Sequence, residues 1–115
     1  MANNFKNQGA ALVVSPGAIV YTAPSADALD TAIVHSMIIS NIDGTNSADV
    51  TIKARATAAD TYYHVAKDIP VPAGSSLSIP KPVDLESGGD ILMYASVAGD
   101  LEAVLSVCLL YTSDA

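Results

Sequence analysis

The 115-residue chain has no tryptophan, one phenylalanine, one cysteine and only five basic residues, and each scarcity excludes something. A single cysteine, Cys108, permits no intramolecular disulfide, so the fold has to rest on packing. Cys108 lies in the apolar run 105–110, where it reads as a small buried hydrophobe and not as a reactive thiol. Five bases against twelve acids leave a formal net charge of -7. An acidic surface repels phosphate, and the shortage of aromatic platforms removes the usual way of holding single strands, so no nucleic-acid partner is expected. No apolar run is longer than a strand, which excludes a membrane-spanning helix and predicts no membrane association. Residues 1–8, MANNFKNQ, carry one lysine and no apolar stretch of the secretory type, and synthesis in a cytoplasm is expected.

Half of the residues are apolar and 15% are charged, a low charge density for a free monomer of this size. One domain of this length buries roughly two thirds of the surface its unfolded chain exposes. The composition favours an oligomer or a docked subunit. Residues 1–8 are expected as a flexible N-terminal arm and 9–115 as a single β-sandwich domain.

Period-two alternation runs through most of the chain. Strands are expected at 10–14 and 18–22, separated by Ser15, Pro16 and Gly17, and a short helical turn at 25–30. The stretch 31–42 is apolar on both faces, with Ile33, Met37 and Ile39 expected on one and Val34, Ile38 and Ile42 on the other. Asp43-Gly44 and the two residues after it predict a turn into a strand at 48–56, with Val50, Ile52 and Ala54 inward and Asp49, Thr51, Lys53 and Arg55 toward water. Further strands are expected at 60–68, 75–79 and 83–85, with Pro70 and Pro72 breaking any ladder and Lys81-Pro82 interrupting again, as suits an edge strand. Ser87 to Asp90 read as a turn, followed by strands at 91–97 and 101–111 joined through Gly99-Asp100 as a tight hairpin. The last strand is again apolar on both faces, Leu101, Leu105, Val107 and Leu109 against Val104, Cys108 and Leu110. About eight short strands and no amphipathic helix predict an all-β antiparallel sandwich, jelly-roll or immunoglobulin-like in connection.

No reaction chemistry accompanies this pattern. His35 and His64 lack the ligand spacing of a metal site and read as surface or interface imidazoles. Ser36, Ser40, Ser76 and Ser106 lie in strands without a nucleophile elbow. The acids Asp43, Asp49, Asp60, Asp68, Asp84, Glu86, Asp90 and Asp100 fall at strand ends and turns, where capping of backbone amides accounts for them. A calcium site assembled from such loops at one end of the sandwich is the rival reading. No cofactor and no enzymatic activity are expected.

The segments DGTNSADVTI at 43–52, VPAGSSLSI at 71–79, LESGGDILMYAS at 85–96 and LEAVLSVCLLY at 101–111 together resemble small β-sandwich virion proteins of tailed bacteriophages. The resemblance spans about residues 18–111. It implies a non-enzymatic structural subunit: a capsid decoration (cement) protein that binds the capsid surface as an oligomer, or a neck or tail accessory subunit. Its implied partners are other copies of itself, a trimer being the named symmetry, and the major capsid or another virion protein, with the product located in the virion after synthesis in the host bacterial cytoplasm. A carbohydrate or host-surface binding module is the alternative of a different class. The expected interface draws on Ile33, Met37, Ile38, Ile39, Leu105, Leu109 and Leu110, some of which must line the core. Asn3, Asn4, Phe5 and Lys6 form the expected tether arm.

Overall fold

Short apolar alternations bounded by glycine, proline and aspartate become nine strands in the computed structural model, which describes residues 2–24, 31–80 and 82–111. In chain order these are β1 (Ala2–Ala11), β2 (Ala18–Thr22), β3 (Thr31–Asn41), β4 (Ala48–Thr57), β5 (Tyr63–Val71), β6 (Ser76–Ile79), β7 (Val83–Glu86), β8 (Gly88–Ala95) and β9 (Leu101–Tyr111). They form two antiparallel sheets, β1-β9-β3-β6 with β7 also paired to β3, and β2-β8-β4-β5. The chain passes from one sheet to the other at nearly every connection. Only β4 and β5 are consecutive strands that pair with each other.

An all-β antiparallel sandwich is therefore the architecture, as the turn spacing predicted, and β2 and β9 have the bounds expected of them. Several local expectations are corrected. The turn at Asp43-Gly44 and the connection through Gly99-Asp100 look like hairpins by composition, yet β3 and β4 lie in different sheets, as do β8 and β9. The second connection spans residues 96–100: the Ser96 N–H donates to the Asp49 carbonyl and so extends β8 along β4, while the Ile42 N–H donates to the Asp100 carbonyl and extends β3 along β9, so its two ends are held in the ladders of different sheets. Residues 88–90, expected as a turn, begin β8, and β5 continues through Pro70, which its position at the edge of the second sheet tolerates. Residues 2–8, expected as an arm, lie in β1 against β9. The helical turn expected at 25–30 lies outside the described residues.

The core is the space between the two inner faces. Val34, Met37 and Ile39 of β3 and Leu101, Leu105 and Val107 of β9 meet Val50 and Ile52 of β4 and Ile91 and Met93 of β8, all essentially without solvent contact. Each such side chain contributes about 1.5–3 kcal/mol of transfer free energy. The inward set of β3 departs from simple alternation. Its register against β9 slips between Val34 and Ser36, so His35 is an extra residue in the ladder. One inserted residue exchanges the faces of everything beyond it. Val34 therefore shares the core face with Met37 and Ile39, while Ile33 and Ile38 share the outer one.

Two glycines and one asparagine hold the connections. Gly17 has a φ of +94°, and a Cβ there would lie 2.6 Å from the Met93 carbonyl oxygen, which no other residue accommodates. Gly89 lets β8 pass so close to the end of β4 that a Cβ would collide with the Ala56 carbonyl and stand 2.8 Å from that of Arg55. Asn41, 4% exposed, donates through Nδ2 to the carbonyls of Asn46 and Val71, 2.9 Å each, and accepts from the Asp43 amide at 2.9 Å. One buried amide thus ties the ends of β3 and β5 to the intervening loop.

Asn41→Ala is expected to lower unfolding free energy by about 1–3 kcal/mol, because two carbonyls and one amide lose their partner; urea denaturation measures it. Gly89→Ala is expected to destabilise clearly, whereas Gly44→Ala, whose Cβ meets nothing within 4 Å, leaves the urea midpoint nearly unchanged. Equal midpoints for the two glycine variants would refute the close approach of β8 to β4.

Candidate assembly surface

Residues directly opposite in an antiparallel ladder share a face, so the outer face of the first sheet follows from its register. Phe5, Cys108 and Ile33 form one cross-strand row over β1, β9 and β3, Asn7, Ser106 and Ser36 the next, and Gly9, Val104 and Ile38 a third. Two of these three rows are apolar. Phe5 is 73% exposed, Val104 47% and Ile38 43%, while Cys108 is buried between its neighbours as a free thiol. The bulge carries His35 to the same side, where its ring stacks on Phe5 with centroids 6.1 Å apart. An outer sheet face with exposed phenylalanine, isoleucine and valine and little charge is a surface suited to contact another protein.

The expected interface residues divide between this face and the core. Met37, Ile39, Leu105 and Leu109 are buried between the sheets, so they hold the fold and face no partner. Ile38 is exposed and Ile33 half-buried on the outer face. The side chain of Leu110 lies outside the described residues. Of the expected tether, Phe5 and Lys6 are exposed on β1, and the side chains of Asn3 and Asn4 again lie outside the described residues. Val104 belongs to the outer face; strand parity sets it opposite Leu105 without telling which face is outer, and it is not among the expected interface residues. His35 joins the same surface through its contact with Phe5, which the bulge alone decides.

A second apolar surface occupies one end of the sandwich. Connections 12–17, 42–47, 72–75 and 96–100 gather there, joined by backbone hydrogen bonds from Gly74 to Asp43, from Ile42 to Asp100 and from Ala95 to Val13. Val13, Val14, Ile42 and Val97 are all between 44% and 58% exposed at this end. Asp43 caps its own loop by accepting from the Thr45 amide at 2.8 Å, and that amide together with the Asn46 amide holds its carboxyl below the ordinary value. Burial, then the neighbouring Asp43, pushes the Asp100 carboxyl up. These two carboxyls are the nearest approach to the calcium site considered above, and among the described residues no group of three or more candidate metal ligands occurs.

Two polar clusters on the second sheet are structural. Asp90, 2% exposed, accepts from Arg55 at 2.9 Å and from the Tyr62 hydroxyl at 2.6 Å, and the Arg55 guanidinium lies 4.6 Å from the Tyr62 ring centre. Burial, followed by the hydrogen bond to Asp90, raises the Tyr62 hydroxyl above its ordinary value. The expectation that Asp90 caps a turn is thus corrected: it neutralises a cation inside the sheet face. Thr51, expected toward water, is buried instead and exchanges hydrogen bonds with Asp68, whose φ is +50°. His64 is exposed, as a surface imidazole would be.

No protein-family profile matches the sequence, and no curated protein sequence matches it either. Solved structures share the fold at low identity. A chain from the endospore appendages of Bacillus, described as disulfide-linked pili, aligns with a TM-score of 0.55 and 18% identity over 98% of this chain and 88% of that one. A chain from the acid-stable capsid of Helicobacter pylori bacteriophage KHP30 aligns with a TM-score of 0.54 and 12% identity over 98% and 90%. In infectious bursal disease virus, strain Gx, all of this chain matches 35% of the viral chain, with a TM-score of 0.57 and 13% identity. The likeness is one of fold.

Phe5→Ala is expected to leave the urea midpoint within a few tenths of a kcal/mol equivalent, since the ring is largely solvated before the change. A loss like that of a core truncation would mean that the outer face is not free. At the loop end, Asp100 has a folded pKa above its ordinary 3.8, so its stabilising contribution is full below that pH and is lost as the pH rises through the folded value. Asp43, held low, behaves oppositely and loses its contribution as the pH falls through its folded value. Asp100→Asn is therefore expected to gain stability relative to the parent as pH rises from 3.8 toward neutrality. Thermal melts across that range measure it, and a constant difference would refute it.

Proposed function

We propose that the chain is a non-enzymatic structural subunit of a tailed-phage virion, most simply a capsid decoration protein that binds the capsid surface as an oligomer after synthesis in the host bacterial cytoplasm. The observation carrying this reading is the apolar outer face of the first sheet, which nothing among the described residues covers, whereas the inner faces of β3 and β9 are buried against the second sheet. The strand order, β1-β9-β3-β6 over β2-β8-β4-β5, is the connection of a jelly roll, an architecture used by capsid domains. Near full-length correspondence with a phage capsid chain supports the same reading, because a single sandwich of this size is then a complete part of a shell. A neck or tail accessory subunit would use the same surfaces.

A filament subunit is the second reading, favoured by the alignment over 88% of the appendage chain. Its covalent chemistry would have to differ from that of the disulfide-linked pili, since the one cysteine here is 5% exposed. A glycan-binding module has less support: its usual ligand platform is aromatic, and Tyr63 and Phe5, the most exposed rings, lie on different sheets.

Quantitative mass spectrometry of purified phage particles tests the proposal. The chain is expected in a fixed ratio to the major capsid protein and to rebind shells from which it has been stripped. Its absence from particles, or assembly into filaments by the isolated protein, would overturn it.

A further inference from the structure

Each sheet of an open sandwich ends in strands whose outward N–H and C=O groups have no ladder partner, and soluble proteins guard such edges with proline, charge, bulges or brevity. The two long sides of this sandwich are guarded very differently. On one side, β5 carries Lys67, Asp68 and Pro70 and its register against β4 is broken twice. Beside it β6 has four residues and is followed by Pro80, and β7 has four, with Asp84 and Glu86 among them. On the other side β2 has five residues, but β1 has ten, with no proline, an unbroken register against β9 and one charge, Lys6.

Packing does not account for so long a strand. Lys6 and Gln8 pair with inward-facing Val107 and Leu105, yet both are exposed, and among the described β1 side chains Ala10 alone packs against the core. The backbone ladder to β9 is most of what β1 contributes to the folded monomer. A long, regularly paired, nearly uncharged edge that packs little is what a pairing surface requires.

We propose that the free edge of β1 is a self-pairing site: β1 of a second copy adds to it antiparallel across a two-fold axis perpendicular to the sheet, fusing two first sheets into one. This rests on the assembly role proposed above and names the partner within it. The symmetry makes directly opposed residues share a face, which restricts the register. Centring the axis on Asn7 pairs residues 3–11 of both copies, with Asn7 opposite itself, Lys6 opposite Gln8 and Phe5 opposite Gly9. Centring it on Lys6 would oppose two lysines, and centring it on Phe5 would shorten the overlap to residues 2–8.

The Asn7 register also resolves the exposed phenylalanine. An aromatic ring across from a strand glycine covers the bare backbone there, a known stabilising pair. Gly9 is in register with Val104 and Ile38, so Phe5 of each copy would extend the row Ile33-Cys108-Phe5 into the row Gly9-Val104-Ile38 of the other. Two half-exposed apolar patches become two continuous ones. For a chain of net charge -7, an edge whose single charge is positive is also the approach that opposes least.

Oxidative cross-linking of the full chain tests the geometry. Asn7→Cys is expected to give a covalent dimer under mild oxidation, while Glu102→Cys, on the same face but in β9 away from the edge, and the parent with its buried Cys108 are not. Asn7→Lys places two lysines on the axis and is expected to weaken dimerisation in sedimentation by about tenfold or more, without shifting the far-ultraviolet dichroism. An oligomer that survives Asn7→Lys while Asn7→Cys fails to cross-link would overturn the edge pairing and leave the virion role standing. A cross-linked dimer from a protein missing from particles would keep the pairing and remove that role. A parent that stays monomeric and does not cross-link at residue 7 overturns the pairing outright.

Discussion

The contact between β3 and β9 at the centre of the first sheet is what the rest of the structure depends on. These two eleven-residue strands pair along nearly their whole length and supply Val34, Met37, Ile39, Leu101, Leu105 and Val107 to the core. Every other strand of that sheet is attached to one of them, and β4 and β8 of the second sheet pack against their inner side. The His35 bulge is the local adjustment that makes the pair work, since without it β3 could not present Val34 and Met37 to the same side.

Both strands are apolar on the outer side as well, and that face has no second sheet to cover it. The consequence runs from sequence to assembly. Phe5, Ile38 and Val104 remain in solvent, β1 lies along the rim as a ladder with little packing of its own, and the opposite rim carries the prolines and charges. Stability and the proposed association are thus separated in space: the inner face secures the fold, and the proposed contacts with other chains fall on the outer face and the β1 rim. The fold is held by burial and by a few buried polar ties such as those of Asn41 and Asp90.

Legibility followed the range of the interaction concerned. That Leu101, Leu105, Val107 and Leu109 of β9 share one face, and the bounds of β2, could be read from alternation, because side-chain parity is a property of the strand itself. Parity on β3 could not be carried past His35, as a bulge is a relation between two strands. Turn chemistry was legible at Asp43-Gly44 and Gly99, which does have positive φ, but the turns join different sheets and not neighbouring strands. A loop's own residues determine how the chain reverses and say little about which strand it meets next. Asn41 and Thr51 gave no signal, since an isolated asparagine or threonine in a strand looks the same whether a distant carbonyl or water satisfies it.

The sequence alone determined an all-β chain with two strands too apolar for a half-exposed sheet, because composition and period-two alternation are local properties. Only the tertiary structure decided which of those apolar residues are core and which are surface, dividing Met37, Ile39, Leu105 and Leu109 from Ile33 and Ile38. It also decided that β1 is the end strand of its sheet, with no further strand paired to it among the described residues. Both depend on where a second strand or sheet lies, and no residue encodes its own cover; that arises from contacts between segments far apart in the chain.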